Sequence, residues 1–230
     1  MFLPKPTVPG SWNEFPGLSI LGERGLLQYT RHLSITFPRD PEFAYGLEPN
    51  IQHLRTITNL WILEAHWLDT FSFIPKMGEC FGSFLGTLQS LKLAFARGQN
   101  KRILYFVCLF PNLRDLEIYS VHGYINSMRN DGPCFDIKTS PPLDCTFDLQ
   151  WNVASERDSM GAHLFLSDLV ALPSGLKFRT LKLSECTSNN LQLLVNACAP
   201  TLECMEFTGR RFRVWFLHGE CPPFTSVHTI

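Results

Sequence analysis

The sequence predicts an α/β solenoid, in which short parallel strands stack side by side and helices line one face of the sheet. Three observations predict it. A strand-like phrase with apolar residues at steps of three and two recurs along the chain. Helix-like runs separate the copies. Three of those runs stop at a proline, and the chain then enters the next phrase.

In chain order, the first copy is the degenerate Thr30-Arg-His-Leu33-Ser-Ile35. Ile57-Thr-Asn-Leu60-Trp-Ile62 follows, then Leu88-Gln-Ser-Leu91-Lys-Leu93 and Leu113-Arg-Asp-Leu116-Glu-Ile118. A further degenerate copy lies at Cys145-Thr-Phe147-Asp-Leu149. The last two are Phe178-Arg-Thr-Leu181-Lys-Leu183 and Leu202-Glu-Cys-Met205-Glu-Phe207. The middle apolar residues fall at 33, 60, 91, 116, 147, 181 and 205, so the spacing runs from 24 to 34 residues. About seven irregular repeats are expected, with connections of variable length.

Between phrases, Leu191, Leu194, Val195 and Cys198 sit at i, i+3, i+4 and i+7, which is one face of a helix. Ser188 is its expected N-cap and Pro200 its stop. Lys101–Phe110 reads as a second helix, ended by Pro111. Ala162–Leu172 reads as a third, carrying Phe165, Leu169 and Leu172 and ended by Pro173.

A strand with two inward apolar residues cannot bury itself alone. Stacked on like neighbours, it joins a parallel sheet backed by the helices. Side chains alternate along a strand, so the residue between each apolar pair points outward. In repeat order these are Ser34, Trp61, Lys92, Glu117, Asp148, Lys182 and Glu206. Tyr119, two residues beyond Glu117, is expected on the same concave face. The sites expected to bind a protein partner are Trp61, Lys92, Glu117, Tyr119, Asp148, Lys182 and Glu206. Another reading packs Trp61 under segment 37–56, folded over the sheet as an insertion.

Composition limits the functional classes. The chain has 230 residues, 45% hydrophobic and 18% charged, with net charge −1. This is enough apolar material for one domain or two small ones. Near-neutral charge gives no electrostatic basis for binding nucleic acid or an anionic membrane. The start, MFLPKPTVPGSW, carries three prolines and lacks the apolar core of a signal peptide. The most apolar run, ILYFVCLF at 103–110, is too short to span a bilayer. A cytoplasmic or nuclear location is expected. The eight cysteines include no Cys-x-x-Cys pair, and no His-x-x-x-His pair occurs. Reduced, mostly buried thiols are therefore expected, with no metal and no cofactor.

From Phe178 the pattern Φ-x-x-L-x-L-x-x-C runs through Leu181, Leu183 and Cys186, then through Leu191 and Leu194 to Cys198. This resembles the cysteine-containing class of leucine-rich repeat, familiar from F-box proteins, the substrate receptors of cullin-type ubiquitin ligases. LFPNLRDLEIYS, LPSGLKFRTLKLSEC and NACAPTLECMEF look like the irregular repeats of a fungal set of F-box-like proteins. The resemblance covers residues 29–209. It implies a leucine-rich-repeat solenoid that selects a protein substrate for ubiquitination. It also implies a cullin-type ligase adaptor as partner if an F-box lies upstream. No F-box fits residues 1–28, which are rich in proline and glycine. The chain is thus expected to be a truncated member, or a protein-interaction scaffold without the ligase link. Residues 210–230 abandon the repeat pattern and are expected to form a cap or tail.

Three further motifs have competing readings. Gly78-Glu-Cys80-Phe-Gly82 fits G-x-C-x-G, a cysteine form of the nucleophile elbow. Read functionally, it makes a hydrolase with Cys80 as nucleophile. Pro75 disfavours the strand such an elbow needs, so a loop or helix start is expected and no catalytic residue is assigned. The seven histidines are scattered and share no spacing with carboxylates. Arg210, Arg211 and Arg213, interleaved with Phe212, Trp215 and Phe216, fit an amphipathic capping strand better than a nucleic-acid patch.

Overall fold

The computed structural model describes residues 24–36, 54–63, 81–94, 97–98, 100–119, 122–123, 142–150, 156–184, 188–208 and 226–229. The strands are β1 (His32–Thr36), β2 (Asn59–Leu63), β3 (Ser90–Ala94), β4 (Arg97–Gly98), β5 (Asp115–Tyr119), β6 (His122–Gly123), β7 (Thr146–Gln150), β8 (Thr180–Ser184), β9 (Cys204–Thr208) and β10 (Ser226–Thr229). The helices are α1 (Asn100–Cys108), α2 (Glu156–Val170) and α3 (Ser188–Cys198).

Eight strands form one sheet in the order β1-β2-β3-β5-β7-β8-β9-β10, every neighbour pair parallel. Spatial order repeats chain order without a crossing. The two-residue strands β4 and β6 pair separately, just beyond β3 and β5. All seven phrases are strands of this sheet, including the degenerate ones at Leu33 and Phe147. The fold is a solenoid-like α/β arrangement with an all-parallel sheet and few helices.

The pairing is in register across the sheet. Leu33, Leu60, Leu91, Leu116, Phe147, Leu181 and Met205 form one inner row. Ile35, Ile62, Leu93, Ile118, Leu149, Leu183 and Phe207 form the next. Both rows are buried throughout and belong to one hydrophobic core. Burying one such side chain contributes about 1.5–3 kcal/mol.

Helical residues complete that core. Ile103, Phe106 and Val107 of α1 and the following Phe110 are buried at helical spacing. Phe165, Leu166 and Leu169 of α2, and Leu194 and Cys198 of α3, join them. Phenylalanine supplies much of the buried volume. Phe81, Phe84, Phe106 and Phe110 meet edge to face at centroid distances of 5.2 to 5.6 Å. Phe147 stacks on Phe178 at 4.9 Å. Such pairs add about 0.5–1.5 kcal/mol beyond burial.

The helix bounds differ from the sequence expectation in instructive ways. α1 stops at Cys108, because Leu109 and Phe110 already turn toward Pro111. α2 starts at Glu156, six residues before the expected Ala162. Its first two turns lack the apolar spacing that marks the rest. α3 begins at Ser188 itself, where an N-cap was expected. After α2 the chain turns at Gly175, whose φ of 76° favours glycine; its N–H donates to the Leu172 carbonyl at 2.9 Å.

A hydrogen-bond device recurs where the chain enters β2, β3, β5 and β9. The hydroxyl of Thr87 donates to the Ile57 carbonyl at 2.9 Å, and that of Thr201 to the Phe178 carbonyl at 3.1 Å. Thr56 does the same to Thr30 at 3.0 Å. Asn112, at the equivalent place, donates to the Gly86 carbonyl at 2.7 Å. Each of these side chains ties one strand entry to the one before it. The same stretch supplies carbonyls, those of Arg31, Thr58, Gln89 and Arg179, that each accept two backbone N–H groups from the next unit.

Among the described residues no helix is long and apolar enough to cross a membrane. Cys108, Cys145, Cys198 and Cys204 form no disulfide, and Cys145 and Cys198 are buried. Burial pushes the Cys198 thiol up to about 11, against the pull of the Phe178 backbone N–H. Cys80, Cys134, Cys186 and Cys221 lie outside the described residues, as do Arg210–Phe216. The expected cap region contributes β10, which extends the sheet beyond β9 and brings His228 into register with Glu206.

Candidate functional site: the outer row of the sheet

Alternation sends every second strand residue to the face opposite the core. The parallel register then lines these residues up from strand to strand. Ser34 pairs with Trp61, Trp61 with Lys92, Lys92 with Glu117, Glu117 with Asp148, Asp148 with Lys182, and Lys182 with Glu206. The seven expected outward residues therefore form one continuous row. A second row lies two residues further on, where Leu63, Ala94, Tyr119, Gln150 and Ser184 are in register.

Trp61, next to Ser34 in the first row, is 38% exposed. The Lys92 ammonium sits 5.1 Å from the centre of its ring and 4.4 Å from that of Tyr119. Lysine thus bridges two aromatic faces. The same ammonium pairs with Glu117 at 2.9 Å and donates to the Tyr119 hydroxyl at 3.1 Å. Tyr119 in turn donates to Glu117 Oε2 at 3.0 Å and accepts from Gln150 Nε2 at 3.1 Å. Tyr119 therefore reaches the face where it was expected. Ala94, the small residue between Leu63 and Tyr119 in the second row, is buried there.

Sequence reasoning missed Gln150. The signal was available, because Gln150 holds on β7 the place that Tyr119 holds on β5. At the far end of the row Lys182 pairs with Glu206 at 3.2 Å.

The electrostatics follow from this geometry. Burial pulls the Lys92 ammonium down, but its bonds to Glu117 and Tyr119 outweigh that and hold it above the usual lysine value. Burial pushes the Tyr119 phenol up, with Lys92 opposing and Glu117 reinforcing. The hydrogen bond to Glu206 holds Lys182 up. Burial, then the neighbouring Glu117 charge, raises the proton affinity of Asp148, against the bond from Gln150 and the charges of Lys182 and Lys92. Among the described residues Asp148 forms no ion pair.

This arrangement holds an aromatic shelf and a set of interlocked charges at fixed strand spacing. Cys80 and segment 37–53 lie outside the described residues. Of the remainder of segment 37–56, Leu54 packs into the core, away from the outer row. Among the described residues no three of His, Cys, Asp and Glu gather as a metal site. Compared with family models, curated proteins and solved structures, the chain matches none.

Proposed function

We propose that the chain is a leucine-rich-repeat solenoid of about seven irregular repeats, and that it binds a protein through the outer row of its sheet. One observation carries the reading. Trp61 stands exposed in a row whose lysines are held by glutamates. Parallel sheets usually bury both faces in apolar contacts. Here one face carries ordered polar side chains and two large aromatics, Trp61 and Tyr119, a composition that suits recognition. Aromatic residues dominate binding energy because they desolvate a large area at little entropic cost.

The resemblance to F-box-type repeats extends this reading. The bound protein would then be a substrate for ubiquitination, and the chain would work in the cytoplasm or nucleus without a cofactor. A ligase adaptor would be engaged only through an F-box, the feature that separates this reading from a scaffold without the ligase link. The test is an affinity pull-down of the intact chain with mass spectrometry, repeated with Trp61→Ala. One recurrent partner should be lost in the variant, with affinity reduced by about 2 kcal/mol or more and an unchanged melting temperature. Recovery of ligase subunits alongside that partner supports the substrate-receptor reading, and their absence supports the scaffold. Equal recovery by both proteins would remove the outer row as the binding surface.

A further inference from the structure

The outward positions of the main-sheet strands β1, β2, β3, β5, β7, β8 and β9 carry more acid than the chain as a whole. Two lysines, Lys92 and Lys182, stand there against four carboxylates, Asp115, Glu117, Asp148 and Glu206. Glu117 is taken by Lys92 at 2.9 Å and Glu206 by Lys182 at 3.2 Å. That leaves Asp115 and Asp148, neither in an ion pair among the described residues. They lie on the neighbouring strands β5 and β7, in adjacent rows, with Glu117 in register beside Asp148. The negative charge that remains is thus concentrated in the middle of the face.

Trp61 lies three strand steps from Asp148 along the same row. At the usual strand separation that is about 14 Å. Between them lie Lys92 and Glu117, which neutralise each other. The row therefore reads as an apolar contact, a neutral bridge and an acidic contact, in that order.

We infer that this face receives an extended protein segment running across the strands, with a large apolar side chain on Trp61 and an arginine or lysine on Asp148. The inference rests on the protein-binding reading above and deepens it. An extended chain rises about 3.3 Å per residue, so the two anchors are about four residues apart in the partner. The basic side chain makes a charge-assisted hydrogen bond to a carboxylate that no lysine of the row takes up. It also relieves the repulsion between Asp148 and Glu117. Asp148 binds its proton more tightly chiefly because it is half-buried, and the Glu117 charge beside it adds to that. An acidic segment would instead meet Asp115 and Asp148 with no free cation among the described residues of the row.

The experiment is selection from a random dodecapeptide display library on the intact chain, followed by binding measurements on the enriched peptides. Enriched sequences should carry an aromatic or large aliphatic residue about four positions from an arginine or lysine. Asp148→Asn should weaken them about tenfold, and Trp61→Ala should weaken them at least as much. Moderate salt should lower affinity for the native chain more than for Asp148→Asn. Asp148→Lys serves as a charge reversal, with melting curves to show that it folds.

Peptides that need Trp61 but are neutral or acidic, or ignore Asp148, would overturn the basic-partner inference and leave the outer row as a binding face. Peptides that bind all variants equally would overturn both. Failure to enrich any peptide over an albumin control would also count against the inference.

Discussion

Asp148 shows how one residue can act against the fold that carries it. Its carboxyl is half-buried beside Glu117, and burial together with that neighbour favours the protonated form. Its folded proton affinity therefore exceeds the unfolded one. Between the ordinary aspartate range and the raised folded value, the folded chain binds more protons, so its stability falls as pH rises through that window. Above the window the full destabilisation remains; below it, none does. Asp148→Asn should thus stabilise the fold slightly at neutral pH, by no more than about 0.5 kcal/mol after solvent screening, read as a small rise in melting temperature. The gain should vanish in acid below the ordinary aspartate range, and melting curves across pH check it. A loss of stability at neutral pH would mean that the Asp148 charge is structurally satisfied. Alternation alone places the outward residues, Tyr119 among them. It does not tell which lysine takes which carboxylate, because that depends on rotamers and on neighbours from strands at least 24 residues away in sequence.

At the scale of elements, the strand phrase was legible because its two demands coincide. Period-two alternation buries a pair such as Leu181 and Leu183, and the residue between them, Lys182, must then face outward. Leu181 is fully buried and Lys182 is not. Leu181→Ala should cost about 2–5 kcal/mol, and Lys182→Ala under about 0.5 kcal/mol. Comparable shifts in a denaturant titration would contradict the alternation. The helices were legible only where they carry an apolar stripe. The first turns of α2 were missed for that reason. The entry bonds of Thr56, Thr87, Asn112 and Thr201 left a trace: each of these residues directly precedes the first apolar residue of its phrase. A hydroxyl or amide at that point gains a carbonyl partner only when the units stack, so the trace has meaning only once the stack is known.

Over the whole molecule, each main strand bonds only to its neighbours in chain order. Stability then builds as a chain of local interfaces. Amides of β5, β7 and β8, flanked on both sides, should exchange hydrogen most slowly. Those of β1, an edge strand, should exchange fastest. Uniform protection measured by hydrogen–deuterium exchange would argue for a single cooperative block. The parallel order itself was legible, because phrases spaced 24 to 34 residues apart with helices between them leave room for crossovers and not for hairpins. β10 was not read as a strand, since Ser226–Thr229 lacks the phrase that marks the others.

That neighbour-only order has a bearing on how the protein is made. On the ribosome the chain emerges from its N-terminal end, and β1 is released before β2, and β2 before β3. Each new strand finds its only upstream partner already synthesised and waiting as a template. Assembly can therefore keep pace with translation, adding one strand at a time, and no segment need wait for a distant stretch still unmade. The growing edge of the nascent sheet is open to a foreign strand only until the next strand emerges and covers it.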